Sequence, residues 1–530
     1  MNAADLLVAC LEREGVEHVF GLPGEETDDL LFALRDSDVT FVPVRHEQGA
    51  AFMADVHGRL TGEAGVCLAT LGPGATNLLT GVADAHLDKS PLVAITAQAG
   101  LERLHKESHQ ALDIVNMFES VTKWNTTIRD PDIVNEAARK AFKLAEYEKP
   151  GATHLELPED IAAQGTVGEP LPERGPVPRP RPNEDAVDAA ADLLAEADRP
   201  VVLAGNGAVR ARSSDQLREF VTEHGVPVVS TYMGKGAVSD ANDHSLMTLD
   251  SGDGAAQDAL AAADLVVAVG YDIAEHDPAS FHRSGVPIIH IDSEPAEVYE
   301  AYDPAVELVA DIAHSLDALA GRADAGFDGA WFDEYRERIV DRVLDADPRG
   351  NAPFSVDGVL PVVRDALGDE DVLVSDVGNH KMSIAQRYPT YAPNTCIISN
   401  GLASMGIAVP GAVSADLAVD GNVLAATGDG GFLMNAAELE TATRLGCSFT
   451  VLVFRDDDYG LISAKQQRDR GQSFGTRLSN PDFVAFAESF GVNATRPETR
   501  DALETAIGDA VASDDLELVE VPLVSRGPNQ

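Results

Sequence analysis

Cysteine is scarce: four occur in 530 residues, Cys10, Cys67, Cys396 and Cys447. No two form a Cys-x-x-Cys pair, and none has a histidine at metal-ligand spacing. That excludes a disulfide framework and a zinc site of the common spacings. All four lie in apolar stretches, where cysteine behaves as a small hydrophobe, so a reduced, intracellular setting is expected. Long apolar runs are also missing. None approaches the ~18 residues that a membrane helix needs. Bases are few, at 39 against 88 acids, and only nine of them are lysine. With no basic stripe to neutralise phosphates, nucleic-acid binding is excluded.

The acid excess leaves a formal net charge of −49 and is spread along the whole chain. It forms no tail. A cationic partner would account for it. A high-salt cytoplasm accounts for it better, because screening silences self-repulsion while carboxylates keep the surface hydrated. The opening segment, MNAADLLVACLEREG, carries no basic leader and reads as an amphipathic helix, so no signal peptide is expected.

The length calls for several cores, at roughly 150 residues each. Glu169–Glu184 (EPLPERGPVPRPRPNE) reads as an extended linker. A weaker break spans Gly321–Pro353 and includes Asp347-Pro348-Arg349-Gly350. The expected division is 1–168, a linker at 169–184, 185–325 and 355–530. Each block alternates β-branched runs with helical patterns, which predicts an α/β fold with three mainly parallel sheets flanked by helices. Thirteen strands are predicted. They are His18–Phe20, Thr40–Val44, Gly65–Ala69, Leu92–Thr96 and Thr153–Leu157 in the first block. Pro200–Ala204, Pro227–Ser230, Leu265–Val269 and Pro287–Ile291 follow in the second. Val372–Asp376, Val423–Thr427, Phe449–Phe454 and Leu516–Val521 complete the third.

The densest chemistry runs from Gly428 to Gly460 (GDGGFLMNAAELETATRLGCSFTVLVFRDDDYG). A Gly-Asp-Gly turn precedes a helical segment. An apolar run, Phe449–Phe454, then ends in Asp456-Asp457-Asp458. Asp429 and Asp456 would each stand just past the C-terminal end of a parallel strand, the edge where open α/β sheets bind ligands. Carboxylates there suit a hard divalent cation, and glycines 428, 430 and 431 let backbone approach a diphosphate. Taken alone, the segment reads more readily as ordinary acidic turns, which are common in a chain this acidic.

In the first block, Arg45-His46-Glu47-Gln48 follows a strand and precedes a small-residue helix. A partly buried Glu47 there suits proton transfer; the plainer reading is a carboxylate at the positive end of a helix. Gly72-Pro73-Gly74-Ala75-Thr76-Asn77 is a strand–turn–helix junction with room for a flat ring. In the middle block, Gly205-x-Gly207 reads either as a cofactor turn or as a tight structural turn.

Together, RHEQGAAFMADVHGRLTG, TLGPGATN and GDG…DDDYG resemble the thiamine-diphosphate enzymes. VFGLPGEE (19–26), SHQALD (108–113), TKWN (122–125), MGKGAV (233–238), VGYDIAEHDP (269–278), SDVGNHKM (375–382) and SNGLASMGIAVPGA (399–412) extend the likeness over nearly the whole chain. It is most similar to acetolactate synthase catalytic subunits of the FAD-independent, catabolic type.

The resemblance implies a pyrimidine-binding first domain, a Rossmann-like centre and a diphosphate-binding third domain. The active site then lies between two subunits of a homodimer or homotetramer. Thiamine diphosphate and Mg²⁺ are the implied cofactors, and FAD is not expected, because VGYDIAEHDP lacks the family's FAD-contacting arginine. Glu47 matches the glutamate that hydrogen-bonds the aminopyrimidine and so promotes loss of the thiazolium C2 proton. Asp429 and Asp456 match the metal's side-chain ligands, and Asp458 its carbonyl ligand. Gly430 and Gly431 match diphosphate donors, with Asn379 and His380 on a second phosphate-facing turn. Gly72, Asn77, Ala403, Tyr459 and Gly460 also match cofactor-contacting positions. Met405 matches the residue that holds the cofactor bent, and Gln110 a polar group facing the reacting centre.

The implied reaction is decarboxylation and carboligation of 2-oxo acids, two pyruvates giving 2-acetolactate and CO₂, as in branched-chain amino acid biosynthesis. A decarboxylase or acetyl-transferring carboligase for another 2-oxo acid, or a non-catalytic homologue, are the alternatives. A regulatory small subunit is compatible with the likeness. Glu26 stands where catabolic relatives commonly carry Lys. Arg455-Asp456 replaces the usual Asn-rich pair, and the tail after Val521 is short.

Overall fold

The computed structural model describes residues 1–249, 254–280, 285–297, 299–323, 326–327, 329–344 and 350–524. Asp347, Pro348 and Arg349 of the second predicted break lie outside them, as do the last six residues of the tail.

Three six-stranded sheets follow one another, and every strand pairing between neighbours is parallel. The first runs Thr40–Pro43, His18–Gly21, Gly65–Ala69, Leu92–Gln98, Ala152–Pro158, Trp124–Thr127. The third runs Cys396–Ile398, Val372–Ser375, Val423–Gly428, Thr450–Arg455, Glu517–Pro522, Asn493–Thr495. Counted within each domain, both have the order 2-1-3-4-6-5. The first and third domains therefore share one topology. The middle sheet differs: Val306–Val309, Ile288–Asp292, Leu265–Val269, Pro200–Ala204, Val228–Ser230, Ser245–Thr248. This is the 3-2-1-4-5-6 order of dinucleotide-binding folds, read from the other edge.

All thirteen predicted strands are present within a residue or two. The five that were missed, Trp124–Thr127, Ser245–Thr248, Val306–Val309, Cys396–Ile398 and Asn493–Thr495, all lie at sheet edges. Trp124–Thr127, Val306–Val309 and Asn493–Thr495 are only partly covered and lack the apolar run that marks a strand buried on both faces, while Ser245–Thr248 and Cys396–Ile398 are buried but only four and three residues long.

The first and third domains share one apolar cluster, to which Phe52, Met53 and Val56 contribute from one side and Ala408, Ala412 and Val413 from the other. Helix Glu47–Thr61 meets helix Ala408–Ala418 closely. A methyl group at Gly411 would come within 2.8 Å of Val56 Cγ2. The helix that begins with Glu47 is thus a core element of the joint between domains. All four cysteines are buried and free. Burial pushes the Cys10 thiol up to about 12 and Cys396 to about 11, which leaves both unreactive near neutral pH.

A buried ionic hub locks the three domains. Arg59 donates to Asp55 (2.9 Å), to Asp88 (2.7 Å) and to the Ile398 carbonyl (2.9 Å). Asp84 accepts from Ser399 Oγ at 2.7 Å, and Asp88 from the Asn400 amide at 3.0 Å. Asn206 of the middle domain donates to the Asp88 carbonyl at 2.8 Å. Burial, and next the neighbouring carboxylates Asp88 and Asp55, push Asp84 well up, and Arg59 is what opposes them. Replacing Arg59 by Ala strands three buried carboxyl groups. It is expected to lower unfolding free energy by about 3–5 kcal/mol, the usual effect of removing one partner from a buried pair. Equilibrium denaturation in constant salt measures this, and a loss below about 1 kcal/mol would count against the hub.

Candidate active site

In open sheets of order 2-1-3-4, the crevice for ligands opens between the ends of strands 1 and 3. The singled-out residues gather past the C-terminal strand ends of two sheets, the first and the third, in one crevice each.

In the first domain, the helix starts at Glu47, and His46 caps it by accepting from the Gln48 amide through Nδ1 at 3.1 Å. Capping is therefore done by His46, and Glu47 is free for another contact. Its side chain is 5% exposed, and its Oε2 accepts from Asn77 Nδ2 at 2.9 Å. Asn77 stands in the first turns of helix Pro73–Leu87, after the Gly-Pro-Gly turn. A methyl group at Gly74 would sit 3.4 Å from Glu47 Oε1, and one at Gly72 2.6 Å from the Gln110 carbonyl oxygen. Gly72 (φ 53°) and Gln110 (φ 57°) both have left-handed backbone. For a non-glycine residue that costs of order 1–3 kcal/mol, and such strain gathers at functional turns. The fold brings Glu47, Gly72, Asn77 and Gln110 to one crevice. Glu26 joins them by accepting from Thr70 Oγ1 at 2.8 Å.

In the third domain, strands Val423–Gly428 and Thr450–Arg455 end at Asp429 and Asp456, as expected. Asp429 accepts from the Gly430 amide at 2.8 Å, the Asp457 amide at 2.7 Å and Asn480 Nδ2 at 2.8 Å. These contacts tie the two acidic turns together. Burial, then the charge on Asp429, pushes the Asp456 carboxyl up to about 6, and burial also raises Asp429. The glycines are closely approached. A methyl group at Gly460 would meet Asn379 Nδ2 at 2.6 Å and Asp456 Oδ2 at 2.8 Å; one at Gly430 would meet the Tyr459 ring at 2.8 Å. A methyl group at Gly431 would fall 2.9 Å from the Asp376 carboxyl. His380 is buried, and burial pulls its imidazole down to about 4. Ala403 (φ 55°) and Asp457 (φ 55°) are further strained non-glycine positions here, and Met405 lies half-buried between Ala403 and Gly406.

Sequence reasoning assigned no role to two residues that organise this cradle. Asp376, fully buried, accepts from the amides of Gly406 (2.8 Å) and Val377 (2.7 Å) and from Thr427 Oγ1 (3.0 Å), so it joins three of the turns. Its motif, SDVGNHKM, was visible, but its role was not. Asn480 bridges Asp429 and Asp457, each at 2.8 Å, and only an Asn-Pro turn marked it.

Among the described residues, His380 Nε2 and Asp458 Oδ1 are two of several buried polar atoms without a hydrogen-bond partner, and both lie at this cradle. Unpaired buried polar atoms beside crowded carboxyl groups fit a site completed by a cation and a phosphate-bearing group. Among the described residues, no three His, Cys, Asp or Glu side chains form a metal cage by themselves. Mg²⁺ does not need one, since it is commonly held by one or two carboxylates plus phosphate oxygens.

The Gly205 turn of the middle domain is packed shut. A methyl group at Gly207 would reach 2.5 Å from Gly270 Cα. The Asn206 amide, placed where a phosphate would bind, donates to the Glu275 carboxyl at 3.0 and 3.1 Å. Of the two sequence readings, the tight structural turn is the one observed.

Residues 1–117 match the N-terminal TPP binding domain of thiamine pyrophosphate enzymes, 187–319 their central domain, and 376–521 their C-terminal TPP binding domain. The acetolactate synthase of Bacillus subtilis is 32% identical, over 98% of this chain and 93% of its own. The catabolic acetolactate synthase of Raoultella terrigena is 33% identical, over 99% and 95%. A probable acetolactate synthase large subunit of Methanocaldococcus jannaschii is 33% identical, over 98% and 92%. The chain belongs to the thiamine-pyrophosphate-dependent enzymes of the acetolactate synthase family.

Proposed function

We propose that this enzyme joins two pyruvates into 2-acetolactate with loss of CO₂, using thiamine diphosphate and Mg²⁺. The observation that carries the reading is the pair of crevices: a buried carboxyl held by Asn77 in one, and a two-carboxylate glycine cradle in the other. When bound, the cofactor's thiazolium accepts the electrons released on decarboxylation. Glu47 holds the pyrimidine end and moves a proton there. Asp429 and Asp456, with the Asp458 carbonyl, hold the metal, and Gly430, Gly431, Asn379 and His380 face the diphosphate. Gly72, Ala403, Tyr459 and Gly460 line the cofactor path, Met405 sets its bend, and Gln110 faces the substrate.

FAD has no part in this proposal. The middle-domain turn is closed by Glu275, and nearby Lys149 and Arg210 are engaged by Asp272 at 2.7 and 2.9 Å. Activity is expected to vanish when Mg²⁺ is chelated and to be indifferent to added FAD. Stoichiometric FAD in the purified protein would contradict this.

The active protein is proposed to be a homodimer or homotetramer, with a regulatory small subunit as an optional partner, in a high-salt cytoplasm. Exposed apolar side chains support the oligomer: Leu402, Leu433, Met434, Leu461 and Ile462 all flank the third-domain cradle. We keep the domain limits 1–168, 185–325 and 355–530 as part of this proposal.

One observation favours a second reading. Glu26 sets an acceptor carboxyl group on Thr70, two residues before Gly72, which suits a 2-oxo acid whose side chain carries a hydrogen-bond donor, as the methyl group of pyruvate does not. A panel of 2-oxo acids, with products identified, separates the two.

A further inference from the structure

Glu438 belongs to the third domain, yet its carboxyl group serves the first. It is fully buried, at 0% exposure. One oxygen accepts from the Arg45 amide at 3.0 Å and the His46 amide at 3.1 Å; the other accepts from Thr441 Oγ1 at 2.6 Å. Arg45 and His46 are the two residues before Glu47. Gly49, in the first turn of the Glu47 helix, lies against the same carboxyl: a methyl group there would come 2.8 Å from Glu438 Oε1. Two more contacts run along this seam. Arg444 donates to the Pro43 carbonyl, and Arg45 pairs loosely with Glu440 at 3.8 Å. The turn that delivers Glu47 is therefore fixed by helix Glu438–Leu445. That helix follows, after Ala436 and Ala437, the helix Asp429–Asn435 whose first residue is the metal-ligand candidate.

A buried carboxyl is costly to desolvate, and this one recovers its cost through two amides at the positive end of the helix and one hydroxyl. Packing alone would be met by an apolar residue. Glu438 instead supplies direction, because two amide acceptors fix the backbone of the turn where an apolar side chain would only fill space.

We propose that Glu438 is a positioning residue for the reaction. It sets the orientation of Glu47 toward the cofactor's pyrimidine, from a helix that follows the same chain's own diphosphate cradle. The inference rests on the cofactor reading given above.

The test is Glu438→Met in the full-length protein, reconstituted with thiamine diphosphate and Mg²⁺. Met keeps the length and bulk but cannot accept from the Arg45 and His46 amides, which now share one Glu438 oxygen. Exchange of the bound cofactor's C2 proton is expected to slow by about tenfold, within the range that small misplacement of a catalytic group produces. Cofactor affinity is expected to change little, while thermal midpoint and amide protection at residues 45 and 46 are expected to fall, because two buried amides lose their acceptor. Gly49→Ala presses on the same carboxyl from the other side and should slow exchange similarly; it serves if Glu438→Met does not fold. Unchanged C2 exchange in a folded variant with lost protection at 45 and 46 would overturn the inference. So would slowing that merely follows weakened cofactor binding. Absence of exchange in the unaltered protein would overturn the cofactor reading, and the inference with it.

Discussion

Glu47→Gln is expected to slow exchange of the cofactor's C2 proton, and turnover with it, by on the order of 10²-fold or more, the usual effect of losing a positioned acid–base group. Fold and cofactor binding should survive. Gln has the same length, and its carbonyl oxygen can still accept from Asn77 Nδ2, which now donates to Glu47 at 2.9 Å. What disappears is the exchangeable carboxyl proton. The structure removes the simplest rival account, a helix-capping carboxylate, because the His46 ring makes that cap. Quenched proton exchange followed by NMR measures the effect directly. A variant that exchanges at the normal rate would reduce Glu47 to a packing residue.

Dilution from molar to low salt is expected to dissociate the oligomer and abolish activity, before or together with unfolding. The net charge is −49 per chain. The Debye length is about 3 Å at 1 M and about 30 Å at 0.01 M, so dilution exposes each acidic subunit to the charge of the other. Internal structure is better protected. The carboxylates of the Arg59 hub are buried and the Lys149 and Arg210 pairs largely so, where salt screens less than at the surface. The interface proposed around Leu433, Met434, Leu461 and Ile462 lacks that protection. Sedimentation and activity across a KCl series test this. A stable, active oligomer at about 0.01 M salt would remove the high-salt explanation of the acidity.

Central strands such as Gly65–Ala69 and Leu265–Val269 are buried at every position, and an apolar run marks them in any sequence. Five of the six edge strands carry no such mark. Trp124–Thr127 is half-buried throughout and mostly polar, and Cys396–Ile398, though apolar, is three residues long. The candidate site divides in the same way. Asp429 and Asp456 were legible because each ends an apolar strand and sits beside glycine or other acids. Asp376, Asn480 and Glu438 were not, because their partners are distant in sequence: 30 residues for Gly406, 51 for Asp429 and 393 for Arg45. No local pattern records a contact of that range. The closed Gly205 turn shows the converse. Its glycines were legible as a turn, but only the fold shows Glu275 in the place a phosphate would take.

The central claim is tested most directly by incubating the purified protein with pyruvate, thiamine diphosphate and Mg²⁺ in molar KCl and identifying the product. The account predicts 2-acetolactate, with one CO₂ released per two pyruvates consumed and no reaction when either cofactor is left out. Acetaldehyde as the main product, or turnover that continues without thiamine diphosphate, would contradict it.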